Sequence, residues 1–329
     1  MIQLNMLHDS PLWFDPEAEV SHPGFDVCVL STFNGMHHQH LELLDYALSK
    51  SDGGSPSGVL VLIADASDAA TSDRASILLT LEERLALIRS RVSPRLAFGR
   101  VVLSAHPKGQ EGAKTAMYLK KSRMLIPGPE VLKACAETTQ QPGLVQMAES
   151  LEVMVDRRFD PSHQKDLTPT LIDHITHGCM KDALALTGYA YPLSGMVVEG
   201  NKIGRTLGYP TANLGRLHPS KVIPGQGVYA ALVSIDGFWY ESMVNIGIRP
   251  TLDLENVTIE AHLFGFDGDI YGRGITIHFL ERTRDEMRFS SLSELKHQLQ
   301  ADRKSIRQVL EELSGQLTRN EGFLLVRSE

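Results

Sequence analysis

The chain has 329 residues, 42% of them hydrophobic and 22% charged, with 32 Lys+Arg against 40 Asp+Glu for a net charge of −8. That length accommodates two domains, each long enough to bury a core, and the composition excludes disorder as a whole-chain description. The acidic balance argues against a general nucleic-acid binder, which draws on surplus Lys and Arg. Cys28, Cys135 and Cys179 are scattered and form no CxxC pair, so neither a disulfide framework nor a thiolate zinc site is expected. Residues 1–20 carry Asp9, Asp15, Glu17 and Glu19 instead of a basic-then-apolar leader, and no apolar run is long enough for a bilayer. The expectation is a soluble, cytoplasmic protein with no membrane or nucleic-acid partner.

The first half alternates strand and helix. Asp26–Ser31 is a short apolar run that breaks at Asn34-Gly35, and Leu41–Leu48 has helical spacing. A Ser/Gly-rich loop (Ser51–Gly58) leads to a second buried-strand pattern, Val59–Ile63. Leu79–Ile88 is helical, opened by Thr80 with Glu83 three residues on, a capping-box pattern. Arg100–Leu103 gives a third strand, and strands alternating with helices predict a parallel α/β sheet. Gly128–Val155 reads as mostly helical, Arg157–Pro169 as a polar connection, and Thr170–Leu186 as one helix ending near Gly188.

After Tyr191 the apolar pattern switches to alternation and Gly and Pro become frequent. Val228–Ile235, Trp239–Ile246, Thr258–Phe264 and Ile275–Leu280 read as strands, with Asp236-Gly237 a hairpin turn. Short strands at this spacing predict a small antiparallel barrel or sandwich. Ser291–Leu313 places Leu292, Leu295, Leu299, Ile306, Val309, Leu310 and Leu313 on one helical face, which should pack across that barrel. The acidic residues Glu82, Glu83, Asp302, Glu311 and Glu312 read as solvated helix faces, and Trp13 and Trp239 as packing residues.

Three glycines, Gly200, Gly204 and Gly208, stand with Lys202 and Arg205 in a loop whose backbone N–H groups can approach phosphate oxygens while the cations offset charge. The spacing is not that of a Walker A loop. Pro210 then fixes the chain, and Thr211 and Asn213 place two neutral oxygen ligands on one face of an extended segment, an arrangement suited to nucleotide-bound Mg²⁺. A turn-rich barrel entrance with Thr and Asn as caps fits the same spacing. On Val257–Phe264, alternation puts Ile259, Ala261 and Leu263 on one face and Glu260 and His262 on the other. Glu260 is thus either a general base beside the loop or a solvated residue on a barrel's outer wall. Asn245–Thr251 closes a ligand site or forms a tight turn.

The blocks GRTLGYPTANL, PGQGVYAA, NIGIRPT, IEAHLFGFDGDIYG and RTRDEMRFSSLSEL, spread from Pro192 to Gln300, resemble in order and spacing the riboflavin kinase module of the bacterial bifunctional riboflavin kinase/FAD synthetase family. The resemblance implies a six-stranded split β-barrel that phosphorylates the ribityl 5′-hydroxyl of riboflavin with ATP and Mg²⁺, giving FMN. It further implies that the Gly200–Gly208 loop covers the phosphates, Thr211 and Asn213 hold Mg²⁺ and phosphate oxygens, Glu260 takes the hydroxyl proton, and Glu286 and Phe289 form part of the flavin site.

The family's N-terminal domain is a Rossmann-like adenylyltransferase with the signature Phe-Asp-Gly-Val-His-x-Gly-His, whose histidines contact nucleotide phosphates at a helix start. Phe33–His40 resembles it, with His37 and His40 kept, Asn34 in place of Asp and Gln39 in place of Gly. The family's Ile-Ser-Ser-Thr-x-Ile-Arg block has its counterpart in Leu167–Asp173, where Ile172 or Asp173 stands in place of a phosphate-binding Arg. These departures imply a degenerate adenylyltransferase domain over residues 1–188, followed by a riboflavin kinase barrel over 189–329. The histidines His37, His38 and His40 read as surface or capping residues in the alternative, since no Cys or carboxylate cluster stands at ligand spacing. The expected activity is riboflavin kinase. The alternatives are a bifunctional enzyme that also makes FAD, and a flavin-binding regulatory or scaffold protein.

Overall fold

The structure is a computed structural model that describes residues 12–14, 25–51, 59–63, 77–92, 101–105, 119–128, 131, 148–159, 165–200, 203–250, 255–320 and 322–326. The chain divides into two compact units, Met1–Thr168 and Pro169–Glu329, ahead of the 188/189 boundary expected from sequence.

The first unit contains β1 (Leu12–Phe14), β2 (Phe25–Ser31), α1 (His38–Lys50), β3 (Val59–Ile63), α2 (Leu81–Val92), β4 (Val101–Ala105), β5 (Ser122–Pro127) and β6 (Met154–Val155). The strands form one sheet in the order β1-β4-β3-β2-β5-β6, every pair parallel. β2 and β3 are buried at every position, as expected of central parallel strands covered on both faces. The capping box of α2 forms: Thr80 N donates to Glu83 Oε2 (2.8 Å) and Glu83 N to Thr80 Oγ1 (3.2 Å). β1 and β5 had no counterpart in the sequence reading. Met154 and Val155, expected to be helical, instead extend the sheet as β6, while residues 129–130 and 132–147 of that stretch lie outside the described residues.

α3 (Thr168–Thr176), whose first residue closes the first unit, and α4 (Met180–Thr187) open the second unit, where one helix was expected. Gly178 interrupts it with φ +72°, and a Cβ there would lie 2.7 Å from the Tyr229 hydroxyl, so both the turn and the close approach require glycine. Then come β7 (Tyr191–Val198), α5 (Ile203–Thr206), β8 (Ala212–Gly215), β9 (Gly227–Ile235), β10 (Phe238–Pro250), β11 (Glu255–Leu263), β12 (Gly274–Arg284), α6 (Leu292–Leu313), β13 (Leu317–Asn320) and β14 (Phe323–Val326). Six of these strands close an antiparallel barrel in the order β10-β11-β8-β7-β12-β9. The Asp236-Gly237 turn joins β9 to β10 with both residues at positive φ, as a two-residue hairpin loop demands.

Alternation along the strands sorts the barrel's two faces. Tyr229, Ala231, Val244, Ile246, Ile259 and Ala261 are buried and fill the interior. Val228, Ala230, Leu232 and Met243 point outward and pack against Ile306 and Leu310 of α6. The helix therefore covers part of the outer wall, and outward-facing residues beneath it are not solvated. Its N-cap is Ser291, whose hydroxyl accepts from Glu294 N. Leu292 does not join the apolar stripe; it precedes the covered stretch and is 60% exposed. Among the described residues, no helix is long and apolar enough to cross a membrane.

Candidate active site

The β-ladder brings the predicted residues together on the barrel's outer wall. Glu260 pairs in register with Asn213 on one side and Asn245 on the other, and Asn245 in turn pairs with Val228. Directly opposed residues in antiparallel strands share a face, so Asn213, Glu260 and Asn245 form one polar row. Thr211 precedes β8, and its hydroxyl donates to Glu260 Oε2 at 3.2 Å. Two oxygen-bearing side chains thus flank a carboxylate whose orientation is fixed from the neighbouring strand.

A cavity of about 250 Å³ opens over this row, between the barrel wall, α6 and the segment after β12. Thr211, Asn245, Glu260, Glu286, Phe289 and Leu299 line it, and Asn213 does not. Glu286 is exposed at the rim, and Phe289 is half-buried. A Cβ on Gly247 would lie 2.2 Å from Glu286 Oε1, so the bare backbone of β10 lets that carboxylate lie against the strand. A second cavity, of about 360 Å³, is lined by Arg205, Thr211, Phe266 and Tyr271. Thr211 borders both cavities.

The glycine loop sits beside this junction. A Cβ on Gly200 would lie 2.1 Å from Asn213 Nδ2, which makes glycine obligatory if the Asn213 amide is to stay where it is. Gly204 lies in the short α5 turn and its carbonyl accepts from Tyr209 N at 2.8 Å; Gly208, at φ +82°, turns the chain toward Pro210. Arg205 is exposed, and Lys202 lies outside the described residues, as does Thr251.

Sequence reasoning left three contributors unassigned. His262, two residues beyond Glu260, is buried and lines the first cavity. Its Nδ1 donates to the Pro210 carbonyl at 2.8 Å, which ties β11 to the turn that presents Thr211. Burial lowers its pKa below the usual imidazole value; the Pro210 bond opposes this and the Arg303 charge reinforces it. Asp302 is the second, and here the expectation of a solvated helix face is corrected. It is 4% exposed and accepts from Arg284 Nε (2.8 Å), Arg284 Nη2 (2.7 Å) and Gln298 Nε2 (2.8 Å). The same guanidinium donates to the Asp285 carbonyl at 2.8 Å, so one ion pair joins α6, the end of β12 and the segment that carries Glu286 and Phe289. Asn245 is the third; its NIGIRPT block marked the place but not the role.

In the first unit the motif residues turn inward. Asn34 Oδ1 accepts from Leu78 N at 2.8 Å and Leu79 N at 3.4 Å. His37 and His40 are buried, not surface residues, with ring centroids 4.0 Å apart. His37 Nε2 lies 3.3 Å from Thr168 Oγ1 and 4.0 Å from Asp166 Oδ1, and Gln39 Nε2 donates to the Lys165 carbonyl at 2.8 Å. Of the second family block's counterpart, Thr168, the last residue of the first unit, thus lies beside His37. Asp173, in place of the expected arginine, is exposed and pairs with His177 at 3.2 Å.

Residues 187–310 match the family model described as Flavokinase, riboflavin kinase. This stretch of the second unit is similar to the riboflavin kinase family. The chain is 38% identical over 132 residues to the bifunctional riboflavin kinase/FMN adenylyltransferase of Bacillus subtilis (strain 168), covering 39% of this chain and 42% of that relative. It is 42% identical over 118 residues to the protein of the same name from Pseudomonas fluorescens, covering 36% of this chain and 37% of that one. The matched stretches thus span less than half the length of these curated relatives. A crystal structure titled as a macrolide-efflux protein from Streptococcus pneumoniae is similar over both units, with a TM-score of 0.69 and 27% identity, covering 89% of this chain and 98% of that one. The matched stretch contains the barrel on whose outer wall Thr211, Asn213, Asn245 and Glu260 lie near one another.

Proposed function

We propose that the chain is a cytoplasmic riboflavin kinase that converts riboflavin and ATP to FMN and ADP in its C-terminal unit. One observation carries this reading: Glu260, flanked by Asn213 and Asn245 in register and bonded to Thr211, faces a cavity that also holds Glu286 and Phe289. The first cavity takes the flavin with its ribityl chain toward Glu260, and the second takes the nucleotide, with Thr211 where the two meet. The Glu260 carboxylate accepts the proton of the 5′-hydroxyl as its oxygen bonds to the γ-phosphorus, and the bond to the ADP oxygen breaks in line. Positioning supplies much of the acceleration, because attacker and phosphate are held in adjoining cavities.

The oxygens of Thr211 and Asn213 are hard donors that fit Mg²⁺, with room at Asn213 kept by Gly200. Bound with ATP, the ion would neutralise charge on the transferring phosphoryl group. The N-terminal unit has no role in this chemistry. Its motif residues are engaged with the unit's own backbone and side chains. Incubating the full chain with riboflavin, ATP and Mg²⁺ and separating the flavins tests the reading. FMN alone is expected; FMN with FAD would restore the bifunctional alternative, and unchanged riboflavin would leave a binding protein.

A further inference from the structure

Gly178 does more than divide the helix expected over Thr170–Leu186. By reversing the chain, it brings the last turn of α3 against the first turn of α4, so that His174, Cys179 and Asp182 offer one nitrogen, one sulfur and one oxygen, all within 4.8 Å of one another. We propose that these three side chains form a site for a single zinc-class divalent cation, separate from the kinase cavities and their Mg²⁺.

The donor set selects the cation. A thiolate and an imidazole favour a borderline-soft ion over Mg²⁺ or Ca²⁺, and a tetrahedral ion takes such ligands at about 2.0–2.3 Å. Ligand atoms around such a centre stand under 4 Å apart by that geometry, so closure needs only small rotamer adjustments from the observed spacing. A water completes the fourth position.

The surroundings permit it. Cys179 is the N-cap of α4, yet its side chain makes no capping hydrogen bond, which leaves Sγ available. Its backbone N–H donates to the His174 carbonyl at 2.7 Å, a bond that holds the two ligand-bearing turns together. Two anionic ligands and a neutral imidazole balance a doubly charged cation. Two cations stand close by, each with a partner: Lys181 pairs with Glu281 at 2.9 Å, and Arg282, whose Cδ and Nε approach Gly178, bonds Asp285 at 3.1 Å and the Gln226 carbonyl at 3.1 Å. His177, three residues from His174, is held by Asp173 and is not a ligand.

Binding deprotonates the Cys179 thiol, forms the metal–sulfur bond and releases that proton to solvent, so affinity rises with pH. The ion would staple α3 to α4 through the turn that docks on Tyr229. Its role is structural, and kinase turnover does not depend on it.

The test uses the full chain, stripped with a chelator and titrated with Co²⁺, which reports thiolate ligation optically, followed by Zn²⁺ competition. The expected result is one Co²⁺ per chain with a sulfur-to-metal charge-transfer band, displaced by one Zn²⁺. Cys179→Ser should abolish the band. His174→Ala and Asp182→Ala should each weaken binding more than about tenfold, since even outer partners of a metal cost that much. His177→Ala should leave binding unchanged. Cys28 does not confuse the reading, because burial pushes its thiol up to about 12. Absence of the band in the wild-type chain, its persistence in Cys179→Ser, or loss of binding in His177→Ala alone overturns the proposal. FMN production by the stripped chain in Mg²⁺, measured in parallel, keeps this outcome separate from that of the kinase assignment.

Discussion

Glu260→Gln tests the kinase reading at its centre. Glutamine keeps the side chain's volume and one oxygen that can accept from the Thr211 hydroxyl, so the polar row with Asn213 and Asn245 should survive. It cannot accept the proton of the 5′-hydroxyl near neutral pH. General-base assistance is worth ~10²–10⁴ in rate, or about 2.7–5.4 kcal/mol in activation free energy. Phosphoryl transfer through a loose transition state needs little proton removal at the barrier, which places the expected loss near ~10². The loss should fall on kcat, with a smaller change in KM, because the cavity contacts at Phe289 and Leu299 are untouched. Steady-state riboflavin phosphorylation by the folded variant at saturating Mg²⁺–ATP measures it. Turnover within about twofold of wild type, far below the general-base range, would refute the assignment and leave Glu260 a structural member of the outer wall.

Thr211→Ala and Asn213→Ala should each raise the Mg²⁺ concentration needed for half-maximal turnover, and wild-type behaviour of both across a full titration would misplace the metal–phosphate site. Asp302→Asn should cost about 1.5–3 kcal/mol of stability by removing the charged partner and one hydrogen bond of Arg284, read as a lower urea midpoint, and should raise the riboflavin KM; a loss below about 1 kcal/mol, typical of a surface pair, contradicts this. His278 is fully buried and its pKa is pushed down to about 3, by burial first and then by the Lys221 charge, so it is neutral in the folded chain. The unfolded chain binds the extra proton, so stability is fully present above about 6.5 and falls by about 1.4 kcal/mol per pH unit down to about 3; between pH 7 and 5, His278→Gln should lose about 2 kcal/mol less than wild type in urea titrations, and equal losses would refute the linkage. Supplied with FMN and ATP, the full chain should form no FAD, and sustained FAD and pyrophosphate production would overturn the reading of Asn34, Gln39 and Asp173.

Much of the barrel was legible because strand alternation is a local property. Val228–Ile235 and Thr258–Phe264 could be read with their faces, and Ile259, Ala261 and Leu263 are indeed buried. The choice between a catalytic and a solvated Glu260 was not local. It depends on what covers the outer wall, and that is set by α6 and the Arg284–Asp302 pair, joining positions whose proximity no periodicity reveals. Asp302 was misread for the same reason: on a helical wheel it is one more acid on a polar face. β8, only four residues long, is too short for a pattern, though it carries Asn213. The α3–α4 break was missed because a single glycine in a helical pattern is compatible with a continuous helix; here its positive φ and its contact with Tyr229 decide otherwise.

The motif residues of the two units have different surroundings. In the first unit, His37 and His40 match the family's signature, yet the partners nearest the motif come from residues 165–168 and 78–79 of the unit itself. Gln39 shows how: where the family's glycine would leave backbone open, a side chain reaches the Lys165 carbonyl and occupies the space. In the second unit the glycines remain where a side chain would collide, at Gly200 against Asn213 and at Gly247 against Glu286. There Thr211, Asn245, Glu260 and Glu286 line one cavity, and Thr211 also borders the second. Restoring Gln39→Gly alone should therefore not revive adenylyl transfer, since Asn34 and the charge at Asp173 would still be in place.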